Sequence, residues 1–77
     1  MITAFVMINT EVGGIEDVLK SLEKIPAVEE AYGVYGVYDI VSKVKAESTT
    51  TLKETVITRL RQVDKVRSTL TMIVMET

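Results

Sequence analysis

The chain carries one apolar pattern twice, at an offset of 38 residues. Five positions that are apolar in the first copy are apolar again in the second, namely Val18 and Val56, Leu19 and Ile57, Leu22 and Leu60, Ile25 and Val63, and Val28 and Val66. Because the whole sequence has 77 residues, two copies of one supersecondary unit account for nearly all of it. The repeat therefore predicts a single domain, residues 1–77, built from a duplicated unit.

The first copy has the pattern of a strand followed by a helix. Residues 2–9 are apolar and rich in β-forming residues, and Gly13 and Gly14 separate them from the next segment. Pro26 then marks the end of that segment. Within it, the apolar residues recur at the spacing of one helix face, and they are Ile15, Val18, Leu19, Leu22 and Ile25.

The second copy predicts another helix, which starts at the hydroxyl run 48–51, where Thr51 and Glu54 have the spacing of a capping box. Its apolar stripe consists of Leu52, Val56, Leu60 and Val63. Further strands are predicted at residues 28–34, 38–45 and 66–75. The element order βαββαβ indicates an α+β fold, a ferredoxin-like sandwich of four antiparallel strands with both helices on one face.

Apolar side chains occur on both faces of the first predicted strand. Ile2, Ala4, Val6 and Ile8 alternate with a second set that contains Phe5 and Met7. The two helices cover only one face of the sheet, so the other face needs a partner. We therefore expect a homodimer packed sheet to sheet, as in the dimeric α+β barrel class.

Composition argues against several kinds of site. The chain has no histidine and no cysteine, so it lacks the usual ligands of zinc and copper and the usual base of a nucleophilic triad. Its acidic residues are scattered, and the adjacent Glu29 and Glu30 point to opposite faces of a strand. We therefore expect no metal, no cofactor and no catalytic residues.

Charge and hydropathy restrict the partners. The net charge of −2 provides no basic face for a phosphate backbone, so we expect no direct contact with nucleic acid. Arg59, Arg61, Lys65 and Arg67 lie close together late in the chain and are interpreted as a solvated helix end. The apolar residues 1–8 are too few for a membrane span or a signal segment, which predicts a cytoplasmic protein without membrane contact.

The segment from Tyr35 to Asp39 is the strongest candidate for a binding turn. Gly36 permits a positive φ and a close approach to a ligand, and neighbouring N–H groups can bind a carboxylate. Asp39 can accept hydrogen bonds from an ammonium group, so the turn suits both charged ends of an amino acid. The same spacing also fits an ordinary hairpin in which Asp39 bonds its own turn.

Thr69 and Thr71 are the second candidate pair. They are two positions apart on a predicted strand, so their hydroxyls lie on one face and can contact a polar ligand. Threonine is also simply a good strand former. The spacing alone leaves both interpretations open.

Three stretches of the sequence resemble the effector-binding half, or RAM domain, of the leucine-responsive and asparagine regulators, the Lrp/AsnC family. They are Val28-Glu-Glu-Ala-Tyr32, Gly36-Val-Tyr-Asp39 and Thr69-Leu-Thr71, and the similarity extends over essentially the whole chain. No stretch resembles the family's N-terminal helix-turn-helix. The resemblance is thus to a stand-alone sensor or oligomerisation module.

The resemblance implies a function and a site. In that family a small amino acid binds between dimers, which here assigns ligand contacts to Gly36, Tyr38, Asp39, Thr69 and Thr71, with Tyr35 as an additional neighbour. It implies dimers that stack into an octamer-like ring. It also implies regulation of transcription by co-assembly with full-length, DNA-binding relatives.

Two other functions fit the predicted fold. One is a small dimeric α+β barrel enzyme, resembling monooxygenases or isomerases, with Asp39 as its acid or base. The other is a structural adaptor that binds no ligand. Turnover by the purified protein would favour the enzyme, and an unchanged melting temperature with every amino acid would favour the adaptor.

Overall fold

The computed structural model describes residues 1–75, so the last two residues of the predicted domain lie outside the described part. The elements follow in the predicted order βαββαβ, which is confirmed. The strands are β1 (Ile2–Thr10), β2 (Val28–Gly33), β3 (Ile40–Ala46) and β4 (Val66–Ile73). The first helix, α1, spans Ile15–Glu23, and the second, α2, spans residues 49–61.

The four strands form one antiparallel sheet in the order β2-β3-β1-β4. The strand β1 lies inside the sheet, where Val6 is paired with Ser42 on one side and with Thr71 on the other. The strands β2 and β4 are therefore the two edges. This arrangement is the four-stranded ferredoxin-like sheet that the duplicated pattern predicts.

The hydrophobic core lies between the sheet and the two helices. Alternate residues of β1 point to it, and Ala4, Val6 and Ile8 are completely buried. The predicted face of α1 also packs here, with Val18 and Leu22 fully buried. In a domain this small only a modest fraction of the chain's surface is buried on folding, so the core alone gives a marginal stability.

The helix α2 differs from the sequence prediction in two details. Its N-cap is Ser48, whose hydroxyl accepts a hydrogen bond from the Thr51 N–H at 3.1 Å, so the predicted capping pair of Thr51 and Glu54 is wrong. The middle of the helix, Leu52–Ile57, is π-helical. Ile57 is buried together with the predicted stripe, in agreement with its correspondence to Leu19 in the repeat.

Each predicted strand after the first ends or begins slightly differently in the structure. The second strand ends one residue early, at Gly33, and the last ends at Ile73 instead of residue 75. The third begins at Ile40, not at residue 38. The ladder between β1 and β3 stops at the pair of Ile8 and Ile40, and beyond it the Thr10 N–H donates to the Asp39 carboxylate.

An ion pair fixes the start of α1 to the loop before β4. The Lys65 ammonium donates a hydrogen bond to the Asp17 carboxylate in the first turn of α1. This hydrogen bond and the lysine charge lower the pKa of Asp17 below its ordinary value of 3.8. The same partner raises the pKa of Lys65.

The lowered pKa of Asp17 predicts a small loss of stability in acid. A carboxyl group with a lowered folded-state pKa stabilises the fold above its unfolded-state pKa, and this contribution disappears as the pH falls through the folded-state value. We expect Asp17→Asn to melt slightly below the native protein at pH 7 and with it at the lowest pH that both survive. A melting difference of constant size across that range would contradict the assignment.

Candidate functional site

The predicted binding turn is a closed loop between β2 and β3. The Val34 N–H donates to the Asp39 carbonyl at 2.9 Å, and the Asp39 N–H donates to the Ile8 carbonyl of β1 at 3.0 Å. Gly36 at the tip has a φ of 151°, in the region that favours glycine. A Cβ added there would meet no atom within 4 Å, so the glycine serves the backbone conformation and not a tight fit.

The carboxylate of Asp39 anchors this turn to the central strand. Its Oδ2 accepts hydrogen bonds from the Thr10 N–H at 2.9 Å and from the Thr10 hydroxyl at 3.3 Å. The partner is thus β1, not the turn itself as in the ordinary hairpin interpretation. Within the described residues Oδ1 has no hydrogen-bond partner. One oxygen holds the loop while the other remains available to a ligand.

The tip of the turn presents apolar and aromatic side chains to solvent. Tyr35 is fully exposed and Val37 is 85% exposed, whereas Tyr38 beside Asp39 is half-buried. Large apolar side chains at the tip of an anchored loop are typical of contact surfaces. The base of the turn is therefore held by hydrogen bonds, and its tip is exposed to solvent.

Thr69 and Thr71 lie on the helix side of the edge strand β4. They are paired with Ile8 and Val6, which point into the core, so the prediction that both threonines share a face is confirmed. The Arg61 Nε of α2 donates to the Thr69 hydroxyl at 3.3 Å. Thr71 lines a cavity of about 380 Å³ between α2 and β4, together with Leu52, Lys53, Ile57, Arg61 and Ile73.

One chain does not bring the six predicted site residues into a single pocket. Ile8 of β1 is paired with Ile40, which follows Asp39, and on its other side with Thr69. The turn and the threonine pair therefore lie at the same end of the sheet but on opposite sides of β1. With two strand spacings between them, they are about 10 Å apart.

The sheet face opposite the helices is apolar and uncovered. Paired residues on neighbouring strands point to the same face, which places Tyr32, Val41, Met7 and Leu70 in one row across the four strands. The next row contains Phe5 and Met72. Leu70 and Met72 are each 45% exposed. We refer to this surface as the open face.

Charged groups border the open face on the β2 side. Glu29 forms ion pairs with Lys45 at 3.1 Å and with Lys43 at 3.8 Å. The Tyr32 hydroxyl donates to Glu30 at 3.1 Å, and this hydrogen bond together with the glutamate charge raises the pKa of Tyr32. The apolar rows thus have a polar rim, which is the usual anatomy of an interface.

Two residues at the site were not identified from the sequence. Thr10 holds Asp39 across a separation of 29 residues, and no local pattern announces such a contact. Arg61 was interpreted as part of a solvated helix end, yet it bonds Thr69. Arg61 precedes Thr69 by only eight residues, and this short separation is the one indication of their contact in the sequence.

The structure also bears on the excluded classes of site. Among residues 1–75, no three acidic side chains gather in the way a metal site requires. No helix in the same range is long and apolar enough to cross a membrane.

Comparisons with known proteins give consistent matches. The family model of the Lrp/AsnC ligand binding domain matches residues 3–77. A hypothetical protein from Pyrococcus horikoshii is similar in structure with a TM-score of 0.90 at 34% identity, covering 100% of this chain and 93% of that one. No curated protein matches the chain by sequence.

Two similar structures are of longer regulators. E. coli AsnC has a TM-score of 0.90 at 30% identity, with 99% of this chain and 52% of AsnC covered. A feast or famine regulatory protein from M. tuberculosis, complexed with L-methionine, has a TM-score of 0.85 at 31% identity, with 100% and 52% covered. The chain thus spans about half the length of these two regulators.

Proposed function

Since the chain belongs to the Lrp/AsnC ligand binding domain family, we propose that it is an effector-binding module that binds a small amino acid and regulates transcription through its assembly. The observation that carries this proposal is the anchored turn. Asp39 holds the loop to Thr10 with one carboxylate oxygen and leaves the other without a partner in the described part of the chain. The regulator from M. tuberculosis that resembles this chain was crystallised with L-methionine.

The turn offers complementary groups to the two charged ends of an amino acid. The unoccupied oxygen of Asp39 would accept from the α-ammonium group, in a charge-assisted hydrogen bond. The N–H groups around Gly36 would donate to the carboxylate. Tyr35 and Tyr38 would border the ligand's side chain, and Thr69 and Thr71 would supply hydroxyls from a neighbouring dimer.

The open face supports the dimer that this site requires. Phe5, Met7, Leu70 and Met72 form a contiguous apolar surface, and a second copy packed sheet to sheet would remove it from water. Such an arrangement makes the dimeric α+β barrel. Dimers would then associate further, as an octamer-like ring, with ligand bound where they meet.

The regulatory route in this proposal is mixed assembly. AsnC and the M. tuberculosis regulator are about twice as long as the part that matches this chain. Through the half that they share with this chain, regulators of this kind would form mixed oligomers with it. The net charge of −2 supports a role without direct contact to nucleic acid. The family is one of regulators and not of enzymes, which supports the absence of a catalytic role.

Removal of the Asp39 carboxylate is expected to weaken ligand binding. Asp39→Ala should cost about 1.5–3 kcal/mol of binding free energy, the range for a hydrogen bond to a charged group. Thr71→Val should cost less, because it removes a neutral hydroxyl. A thermal-shift screen of the twenty amino acids identifies the ligand, and calorimetry then measures its affinity for each variant.

Thr10→Val separates the anchoring of the turn from ligand contact. It removes the hydroxyl that donates to Asp39 at 3.3 Å and keeps both the carboxylate and the backbone donor. We expect this control to bind ligand nearly as well as the native protein. If Asp39→Ala binds ligand with native affinity while the dimer is intact, the turn is an ordinary hairpin that does not contact the ligand through Asp39.

A further inference from the structure

Two adjoining cavities lie on the helix side of the molecule. The first has a volume of about 290 Å³, lies where the C-terminal ends of α1 and α2 face each other, and is lined by Ser21, Lys24, Ile25, Arg59, Gln62 and Val63. The second has a volume of about 370 Å³ and lies between α2, the turn after α1 and the end of β3. Ile25 and Arg59 line both cavities. We call them the polar cavity and the apolar cavity.

The polar cavity lies between equivalent positions of the duplicated unit. Its lining residues correspond in pairs at the offset of 38 residues, namely Ser21 and Arg59, Lys24 and Gln62, and Ile25 and Val63. Each copy of the unit therefore contributes one apolar residue, one cation and one neutral hydrogen-bond donor. The duplication thus brings two cations and two neutral donors around one cavity.

The positive charges of the polar cavity are not neutralised within the described residues. Neither Lys24 nor Arg59 forms an ion pair in residues 1–75, and no acidic residue of this range lines the cavity. Glu23 and Asp64 are adjacent in sequence to lining residues but do not line the cavity themselves. The C-terminal ends of the two helices contribute about half a negative charge each, so the cavity keeps a net positive charge. Its hydroxyl, amide and cationic groups can all donate hydrogen bonds, which is the lining that an anion requires.

The apolar cavity extends from Arg59 toward the end of β3. Its base consists of buried core residues, which are Ile25, Ala46 and Val56. Ala27 forms part of one wall, and its carbonyl accepts a hydrogen bond from the Lys45 N–H at 2.9 Å, which holds this wall to β3. A held apolar surface therefore lies next to a cavity that is complementary to an anion.

Two charged residues besides Arg59 line the apolar cavity. The Lys45 ammonium is already paired with Glu29 at 3.1 Å, so its charge is not available to the cavity. Glu47 directly precedes Ser48, the N-cap of α2, and therefore lies about three helical turns from Arg59. Its carboxylate would repel an anionic group from that end of the cavity and favour the opposite orientation, with the anion beside Arg59.

We propose that the two cavities form one binding site for a carboxylate that has an apolar body and no amino group. The carboxylate would lie between Lys24 and Arg59, in charge-assisted hydrogen bonds, and the apolar body would cover Ile25 and Val56. An amino acid suits this site less, because the described lining of the polar cavity offers no carboxylate to its ammonium group. The requirement is the reverse of that at the turn, where Asp39 supplies an acceptor.

This site is separate from the predicted effector site. No residue of the turn and neither of the two threonines of β4 lines the polar or the apolar cavity. Ala46 of the apolar cavity is paired with Ile2, whereas the turn adjoins the pair of Ile8 and Ile40 at the other end of β1. These two pairs are about 20 Å apart along the strand. The inference therefore goes beyond the proposed function.

Calorimetry with 3-phenylpropanoate tests the site, because this probe joins a carboxylate to an aromatic ring without an amino group. Lys24→Gln and Arg59→Gln should each lower its association constant about fivefold or more, since each variant removes one charge-assisted hydrogen bond. Both side chains are exposed, so we expect the variants to fold, which circular dichroism checks. Lys20→Gln removes a cation of α1 outside both cavities and should bind the probe with native affinity.

Two analogues of the probe separate the contributions of the two cavities. 3-Phenylpropan-1-ol keeps the ring and lacks the charge, whereas propanoate keeps the charge and lacks the ring. Each should bind about tenfold more weakly than the probe or worse, because one loses the charge-assisted hydrogen bonds and the other the apolar burial.

Three results would overturn the inference: no binding of the probe at millimolar concentration, native affinity in both Lys24→Gln and Arg59→Gln, or propanoate that binds as tightly as the probe. Asp39→Ala should bind the probe with native affinity. Loss of probe binding in that variant would place the probe in the effector site, which would also overturn the inference and leave the proposed function standing.

Discussion

Phe5→Asp is expected to convert the proposed dimer into an 8.6 kDa monomer or an unfolded chain. Phe5 lies on the open face of the central strand, in the row that continues to Met72 on β4. If a second copy covers this face, the new carboxylate is removed from water, with only Lys43 opposite it on β3 to offset the loss of hydration. Burying an unpaired polar group costs about 2–7 kcal/mol, compared with about 5–15 kcal/mol for the total stability of a typical domain.

Asn9→Asp is the matched control for this substitution. Asn9 lies on the same face of β1 as Phe5 and Met7, two residues beyond Met7. It is paired with Ser68, so this end of the face is polar. This control also introduces a carboxylate, and we expect it to leave the dimer intact. Sedimentation equilibrium at micromolar concentration gives the mass of both variants. A folded dimer of Phe5→Asp would mean that the open face is not the dimer interface.

Leu22→Ala is expected to destabilise the fold by about 2–5 kcal/mol, the range for truncating a fully buried leucine. Leu22 is completely buried where α1 packs on the sheet. The change removes apolar contacts and leaves a cavity that its neighbours fill only in part. In a domain of this size such a loss is a large fraction of the total stability.

Val12→Ala provides the comparison for Leu22→Ala. It also removes apolar atoms, but Val12 is fully exposed in the loop after β1, and we expect a change within about 0.5 kcal/mol. Urea denaturation at one fixed protein concentration measures both, because unfolding of a dimer depends on concentration. Equal stability of the two variants would contradict the burial of Leu22.

The fold followed from the sequence because its signals are local and repeated. The recurrence of Val18 and Leu22 as Val56 and Leu60 specifies two equivalent helices, and all four side chains are buried. The π-helical conformation of Leu52–Ile57 was not predictable in this way. Apolar periodicity reports the average pitch of a helix, whereas a π turn depends on how the neighbouring strand accommodates it.

The sequence indicates the residues of the candidate site but not how they are arranged. The turn at Gly36 and its carboxylate are visible in the sequence, but the anchor of Asp39 on Thr10 results from tertiary pairing. Likewise the alternation of β4 places Thr69 and Thr71 on one face without saying that α2 lies over it. Their contact with a ligand stays a prediction.

The position of β1 has a consequence for how the protein is made. This strand leaves the ribosome before both of its neighbours in the sheet, β3 and β4. At about 5–20 residues per second, the nascent chain waits several seconds with the apolar residues of β1 unpaired. The central strand of the sheet therefore stays exposed to non-native contacts until β4 has been made, and the sheet cannot form progressively from its first strand.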